Sequence, residues 1–299
     1  MNRWALAAVM VAALLVAGTC TAQNPPVAGA QQPSAPADSG TVPTAQETPA
    51  AEPAATSTAE KPFHVEAGGF YQHLDNEYSS WRGGDFRMMY SGGKVFKPFW
   101  SVSTQSRDEG SQQSYGFGSY IHFNKSFYVI GSISGAPEKK SLASPYYPKL
   151  RYDGMALYTV PGAKGLVLTA GYTEFQLAGG RGRIISGGAI LYTKTVILSG
   201  AINFNENRPG SKKSKSGQMN FMHGRRGSYW VGGGVGGGKV AYQMLSAIPF
   251  DVRYDSILFN VFLQKWIGQN WGCILRYDFQ DQREIYQRNG VTVSLFADF

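Results

Sequence analysis

Apolar and polar residues alternate along most of the chain after residue 62, and the last nine residues show the pattern most plainly. In 291–299 every odd position is apolar, whereas three of the four even positions are polar. Successive side chains of a β-strand point to opposite faces, so this spacing predicts a strand with one apolar and one polar face. An aromatic residue such as Phe299 at the end of this strand is typical of the closing strand of an outer-membrane barrel. We therefore predict that Phe299 is the insertion signal of the closing strand.

The same alternation predicts an all-β protein, a transmembrane antiparallel up-and-down barrel of about fourteen strands. In 195–205, for example, Val196 and Leu198 lie on one face, whereas Thr195 and Ser199 lie on the other. A barrel of about twelve strands is the alternative if two short pairs do not insert. The predicted strands are 63–73, 80–91, 95–106, 115–123, 126–135, 149–160, 166–176, 182–192, 195–205, 217–225, 228–242, 254–267, 271–280 and 288–299.

The lengths of the connections support this order of strands. If the first strand runs outward from the periplasmic side, every second connection should be a short turn on the periplasmic side. Six short turns fall in that series, and the long segments 136–149, 205–216 and 281–289 fall in the other. The last strand then ends on the periplasmic side. The predicted periplasmic turns are 91–94, 124–125, 161–165, 193–194, 226–227 and 268–270.

The segment before the first strand predicts export. A short basic region and an apolar run from Trp4 to Gly18 precede small residues, the pattern of a signal peptide over residues 1–22. Lipid attachment at Cys20 is the alternative, which the preceding Thr19 disfavours. Residues 23–61 are rich in Pro, Ala, Ser and Thr and predict a disordered periplasmic tether. Residues 62–299 form the predicted outer-membrane barrel.

Composition and charge fit this class of protein. The chain contains 37 glycines, only 16% of its residues are charged, and its mean hydropathy is −0.23, as expected when every second residue is polar. The net charge is +8, but residues 1–60 carry one basic and four acidic side chains, so the remaining residues carry +11. This surplus suits contact with lipopolysaccharide phosphates or passage of anions, and a solvated surface without a ligand explains it equally well. Five lysines fall on the predicted outward loops: Lys139, Lys140, Lys212, Lys213 and Lys215.

The polar faces of the predicted strands place charged side chains inside the barrel. Several form acid–base pairs two residues apart on one face, as Asp85 and Arg87 do. Such pairs either fill the lumen with a charge network or line a polarised narrow pore. The candidates for lining the lumen are Glu66, Asp85, Arg87, Lys97, His122, Arg151, Asp153, Arg276 and Asp278.

Signals for catalysis are sparse. His73 lies near the predicted first outward loop with Asp75, Ser79 and Ser80, but a histidine near serines and acids is common by chance. The sequence contains no Gly-x-Ser-x-Gly elbow, and no two histidines have the spacing of metal ligands. The run Gly232–Gly238 lacks the ending of a phosphate-binding loop, so it should bend a strand or leave room for a bulky neighbour. We expect no catalytic site, metal or cofactor.

Several short patches are spread over the barrel region: Trp81-Arg82, Tyr146–Lys149, Pro161-Gly162, Leu166–Gly171, Asn203–Pro209 and Gly227–Trp230. In these patches the chain resembles the YaiO family of outer-membrane β-barrel proteins. The resemblance implies an outer-membrane barrel with no settled activity, and it provides no catalytic motif. Some family members carry helical repeats before the barrel, where this chain has a Pro/Ala-rich tether.

We therefore expect a non-enzymatic barrel in the cell outer membrane, either a narrow pore or an accessory to surface-polysaccharide export. A closed barrel with a structural or surface-interaction role is the first alternative, and an enzyme that modifies outer-membrane lipid is the second. The expected partners are outer-membrane lipid, lipopolysaccharide and, during insertion, the barrel-assembly machinery. Nothing in the sequence points to nucleic acid.

Overall fold

Antiparallel strands account for nearly all of the described chain. The structure is a computed structural model and describes residues 61–75, 79–138, 142, 145–177, 180–208, 212–240, 254–283 and 286–299. The predicted signal peptide and Cys20 lie outside these ranges, as does all of the predicted tether except Lys61. The strands are β1 (Phe63–Leu74), β2 (Trp81–Tyr90), β3 (Phe96–Arg107), β4 (Gly110–His122), β5 (Phe127–Gly135), β6 (Leu150–Thr159), β7 (Leu166–Leu177), β8 (Gly180–Tyr192), β9 (Val196–Arg208), β10 (Lys212–Arg225), β11 (Tyr229–Val240), β12 (Tyr254–Trp266), β13 (Trp271–Gln282) and β14 (Tyr286–Asp298).

The fourteen strands form one closed barrel in which each strand pairs with its neighbours in sequence and β14 pairs with β1. The predicted strand number and topology are confirmed. At the seam, the amide of Phe299 donates to the carbonyl oxygen of Phe63 over 2.9 Å, and the reciprocal bond has the same length. The two phenyl rings stack with centroids 5.7 Å apart. Beside them, Nδ1 of His64 lies 2.7 Å from Oδ1 of Asp298.

The six predicted short turns all lie at the rim that holds Phe63 and Phe299. A side chain closes the turn at 124–125, where Oδ1 of Asn124 accepts the amides of Ser126 and Phe127, both at 2.8 Å. At the other rim several connections are shorter than predicted. β4 already begins at Gly110, β9 continues to Arg208, β10 begins at Lys212, and β13 continues to Gln282. Lys213 and Lys215 are therefore strand residues, not loop residues. Lys139, Lys140 and the side chain of Lys212 are outside the described part.

Exposed apolar side chains form the outer face of the barrel. They alternate with inward residues on each strand, as Leu198, Ile202 and Phe204 do on β9. Aromatic side chains concentrate near both rims, as in the girdles that flank the apolar band of membrane barrels. One girdle includes Phe96, Phe123, Tyr158, Trp271 and Phe299, and the other includes Tyr71, Tyr115, Tyr152, Tyr172 and Phe204. None of the described residues belongs to a helix long and apolar enough to cross a membrane.

Inward-facing glycines make room for aromatic rings of the adjacent strand. A methyl group on Gly118 of β4 would lie 2.3 Å from Cζ of Phe99 on β3. The glycine run of β11 does the same, because a methyl group on Gly232 would lie 2.9 Å from Cε1 of Phe262. This agrees with the predicted role of the run in accommodating bulky neighbours.

Candidate functional site

The lumen is the candidate functional site, because the side chains predicted to line it project there. Because side chains alternate between the two faces of each strand, all nine predicted lumen residues lie on the face opposite the exposed apolar residues. Glu66 and Arg87 are direct cross-strand partners on β1 and β2, and Asn260 lies opposite Asp278 on β12 and β13. Among the side chains that the structure describes, six basic and five acidic residues of the strands face inward. The lumen is thus close to neutral overall.

Arg151 and Asp153 form an ion pair in the lumen with several hydrogen bonds. Nε and Nη2 of Arg151 donate to Oδ1 of Asp153 at 3.1 and 3.0 Å, and Nε also lies 2.9 Å from Oδ2. The hydroxyl of Thr173 donates to the same Oδ1 over 2.7 Å. The predicted pair on β6 is therefore tied to β7 across the wall. Since both side chains are partly exposed, the contact holds their positions more than it stabilises the fold.

The charged side chains that the structure describes in the lumen lie on one side of it. Among the described side chains, the inward faces of β7 to β12 carry no ionised group. Amides and hydroxyls take their place: Asn203 donates to Ser216 at 3.5 Å, and Asn220 donates to Ser199 at 3.4 Å. Amides and hydroxyls both donate and accept hydrogen bonds, so this wall matches the hydroxyl groups of a neutral polar solute.

Apolar side chains fill the interior near the rim that holds the chain end. Inward residues of β4 to β14 form two clusters that share contacts with Ile190 and Tyr192. Leu157 and Phe296 are each only 3% exposed. The wall of an open channel would leave such side chains accessible, so neighbours must cover them from the lumen side. We call this layer the apolar floor; its buried members are Tyr120, Tyr128, Leu157, Val167, Ile197, Met222, Trp230, Trp266 and Phe296.

A stack of arginines and aromatic rings narrows the opposite mouth of the lumen. The guanidinium carbon of Arg107 lies 4.3 Å from the ring centroid of Trp81 and 4.1 Å from that of Tyr146. Arg288 approaches the Trp81 ring to 5.2 Å, and Tyr286 packs edge-on against it. Cation–π contacts of this kind are strongest where water is excluded. Arg107 falls just outside the predicted strand 95–106, so the sequence pattern missed this cluster.

Tyr146 belongs to the long connection between β5 and β6 and anchors that connection to β4. Its amide donates to Oε1 of Gln112 over 2.6 Å, and its hydroxyl donates to the carbonyl oxygen of Gly110 over 3.3 Å. Nε2 of Gln112 in turn donates to the carbonyl oxygen of Pro137 over 3.1 Å. Burial raises the pKa of the Tyr146 hydroxyl, and the nearby Arg107 acts in the opposite direction. The described part of the connection therefore lies folded against the mouth.

His73, the histidine considered for catalysis, and His122, a predicted lumen residue, lie on opposite faces of the barrel wall. His73 is exposed on the outer face of β1, and within the described residues it has no hydrogen-bonded carboxylate partner. His122 faces the lumen and stacks on Tyr128 with ring centroids 5.1 Å apart. In the part of the chain that the structure describes, no group of three His, Cys, Asp or Glu side chains is arranged to hold a metal ion.

The barrel matches a known protein family. The YaiO membrane beta barrel domain covers residues 63–243, which is more than half of the chain. The chain belongs to the YaiO family. The resemblance inferred from the sequence patches is thereby confirmed, and the match spans β1 to β11. A comparison with curated proteins gave no match.

A comparison with solved structures found similar outer-membrane proteins. A "Bacterial polysaccharide outer membrane secretin" aligns with a TM-score of 0.52 at 6% identity, covering 80% of this chain and 99% of that one. Omp33 of Acinetobacter baumannii gives a TM-score of 0.47 at 12% identity, with coverage of 79% and 98%. The anion-selective porin of Comamonas acidovorans gives 0.44 at 10% identity, with coverage of 79% and 98%. At these identities the likeness concerns the barrel fold alone.

Proposed function

We propose that the protein is a non-enzymatic barrel of the cell outer membrane that provides a narrow passage for hydroxyl-rich polar solutes such as carbohydrates. The rim with the short turns and Phe299 then faces the periplasm, and the Trp81–Arg107–Tyr146 stack lies at the extracellular mouth. The proposal rests on the arrangement of the lumen in three layers. A polar middle section lies between the stacked mouth and the apolar floor.

The polar middle section argues for passage. One wall presents amides and hydroxyls from β7 to β12, and the other presents nearly balanced charges. A lumen that served only as packing would gain more from apolar side chains, because buried polar groups must all find partners. Asp85 is exposed in the lumen, so this section is open to solvent. The solute class could extend to a growing polysaccharide chain, which would make the protein an accessory to polysaccharide export.

The apolar floor supports a restricted passage. Hydrophobic constrictions oppose ion flow because water withdraws from them, whereas an uncharged solute pays no comparable electrostatic cost there. We therefore expect a small, steady ion conductance in planar bilayers, with only a slight preference for anions because the described lumen holds one more basic than acidic group. Liposomes that contain the protein should take up a neutral disaccharide faster than empty liposomes.

The second candidate function is a closed barrel that acts through its surface. It is favoured by the burial of side chains at both ends of the lumen, such as Tyr286 and Phe296. If neither ion current nor sugar uptake exceeds that of empty membranes, the passage is disproved and the closed barrel replaces it.

A further inference from the structure

A charged patch lies on the outer face of the barrel, just beyond its apolar belt. On β8 and β9 the outward face changes from Ile185 and Phe204, both exposed, to Arg183 and Glu206. These changes occur at one height, because Ile185 pairs with Phe204 and Arg183 pairs with Glu206. We call this surface the basic rim patch, and it consists of Arg181, Arg183, Glu206, Arg208, Lys213 and Lys215.

The carboxylate of Glu206 holds two arginines of the patch in place. Nε of Arg183 donates to Oε2 of Glu206 over 3.0 Å, and Nε of Arg208 donates to Oε1 over 3.2 Å. The side chain of Glu206 is 10% exposed, whereas those of Arg183 and Arg208 are 41% and 61% exposed. Glu206 therefore orients the two guanidinium groups while much of each still faces outward. Oriented guanidinium groups suit phosphate, which they can bind through two parallel hydrogen bonds.

The net charge of the patch and its position on the barrel indicate which kind of ligand it would bind. Its five basic side chains exceed the two carboxylates nearby, Glu174 and Glu206, by three charges. Lys215 pairs with Phe204 and lies over its exposed ring, with Nζ 5.6 Å from the centroid, so its charge lies at the edge of the apolar belt. At the same rim, β12 and β13 present Asp255 and Asp281 on the outer face. Positive charge is therefore concentrated on one sector of the barrel.

We propose that the basic rim patch binds the phosphate groups of a phosphorylated glycolipid in the outer leaflet, of the lipid A class. The acyl chains would lie on Ile185, Phe204 and Met219, and the phosphates would meet the arginines at the level where the apolar belt ends. This inference rests on the proposed outer-membrane placement, since that placement directs this rim to the outer leaflet. It does not depend on whether the lumen conducts.

Lipid A binding to the purified full-length protein in detergent tests the site. Native mass spectrometry would count bound bis-phosphorylated lipid A during a titration, and the heat-dependent shift in electrophoretic mobility would verify folding of each variant. We expect Arg183→Gln/Arg208→Gln to weaken binding by about tenfold or more, because charge-assisted contacts are lost. The matched control is Arg82→Gln, which removes an exposed outward arginine from β2 and should leave binding unchanged.

A second variant preserves both arginines that hold Glu206. Arg181→Gln/Lys213→Gln/Lys215→Gln removes three charges from the patch and should also weaken binding, which separates the loss of charge from any loss of order.

Dephosphorylated lipid A should bind weakly to the wild type. Equal binding of lipid A by the wild type and both patch variants would overturn the proposal, as would equal binding of dephosphorylated lipid A. The proposal would also be overturned if millimolar pyrophosphate displaced all of the bound lipid A, because the site would then recognise free phosphate. A silent bilayer recording would leave these binding results unaffected.

Discussion

Removing two side chains of the apolar floor should raise the ion conductance of the barrel severalfold. In the variant Leu157→Ala/Trp266→Ala, one substitution lies in each of the two clusters that form the floor. Both side chains face the lumen and are buried, so their removal opens space that water can enter. A wetted constriction no longer excludes ions. Single-channel recording in planar bilayers would measure the change.

The matched control removes the same residue types from the outer face. Leu168 and Trp271 are 48% and 47% exposed, so Leu168→Ala/Trp271→Ala alters lipid contacts and leaves the lumen intact. Its conductance should equal that of the wild type. Each floor substitution should also cost about 2–5 kcal/mol of stability, so recordings should be restricted to protein with a folded electrophoretic mobility. If folded floor variants conduct no more than the control, the floor is not the constriction.

A charge placed on the outer face should destabilise the barrel by about 2–4 kcal/mol, the cost of arginine near the middle of a bilayer. Ile202 is a suitable position, because it is 58% exposed and lies on β9 below the basic rim patch. The variant Ile202→Arg would place a guanidinium group among acyl chains. Guanidinium titrations of the protein in liposomes would measure the loss in the free energy of unfolding.

The neighbouring residue provides the control for this substitution. Asn203 faces the lumen, where its amide donates to Ser216 over 3.5 Å. Because this wall is polar, Asn203→Arg should cost much less than Ile202→Arg and should increase the preference for anions. Equal destabilisation by the two variants would mean that both faces of β9 meet the same environment, which contradicts a membrane barrel.

Strand number, connection order and face assignment could be predicted from the sequence because they follow from an alternation of period two. Any register slip by one residue would place Leu198 inside and Ser199 in lipid, so the pattern admits one arrangement. The inward positions of Arg151 and Asp153 follow from the same parity. The hydrogen bond from Thr173 to Asp153 does not, because cross-strand register is set by the turn between β6 and β7.

The apolar floor departs from the alternation, and a signal for it exists in the sequence. Near the short turns, apolar residues are consecutive, as at Leu157-Tyr158, Ile190-Leu191 and Ile197-Leu198. One member of each pair faces lipid and the other packs inside. Consecutive apolar residues near one end of successive strands therefore predict a filled end of a barrel.

The features at the rim opposite Phe299 were harder to predict for a different reason. Strands that extend beyond the apolar belt lose the hydrophobic alternation, so the segment from Asn205 to Ser216 looks like a loop. The structure continues β9 to Arg208 and begins β10 at Lys212, which brings Glu206 opposite Lys213. The contact of Arg107 with Trp81 and Tyr146 joins three separate segments, and no local pattern encodes it.

Labelling of single cysteines along β9 tests the central claim, that apolar faces meet lipid and polar faces meet a water-filled lumen. Both native cysteines would be replaced by serine, and single cysteines would be placed at each position from 198 to 205 in protein reconstituted into liposomes. A small, charged, water-soluble maleimide should label the odd positions and spare the even ones, whereas a lipid-soluble maleimide should show the opposite preference. Uniform reaction along the strand, or reaction of the even positions with the charged reagent, would contradict the account.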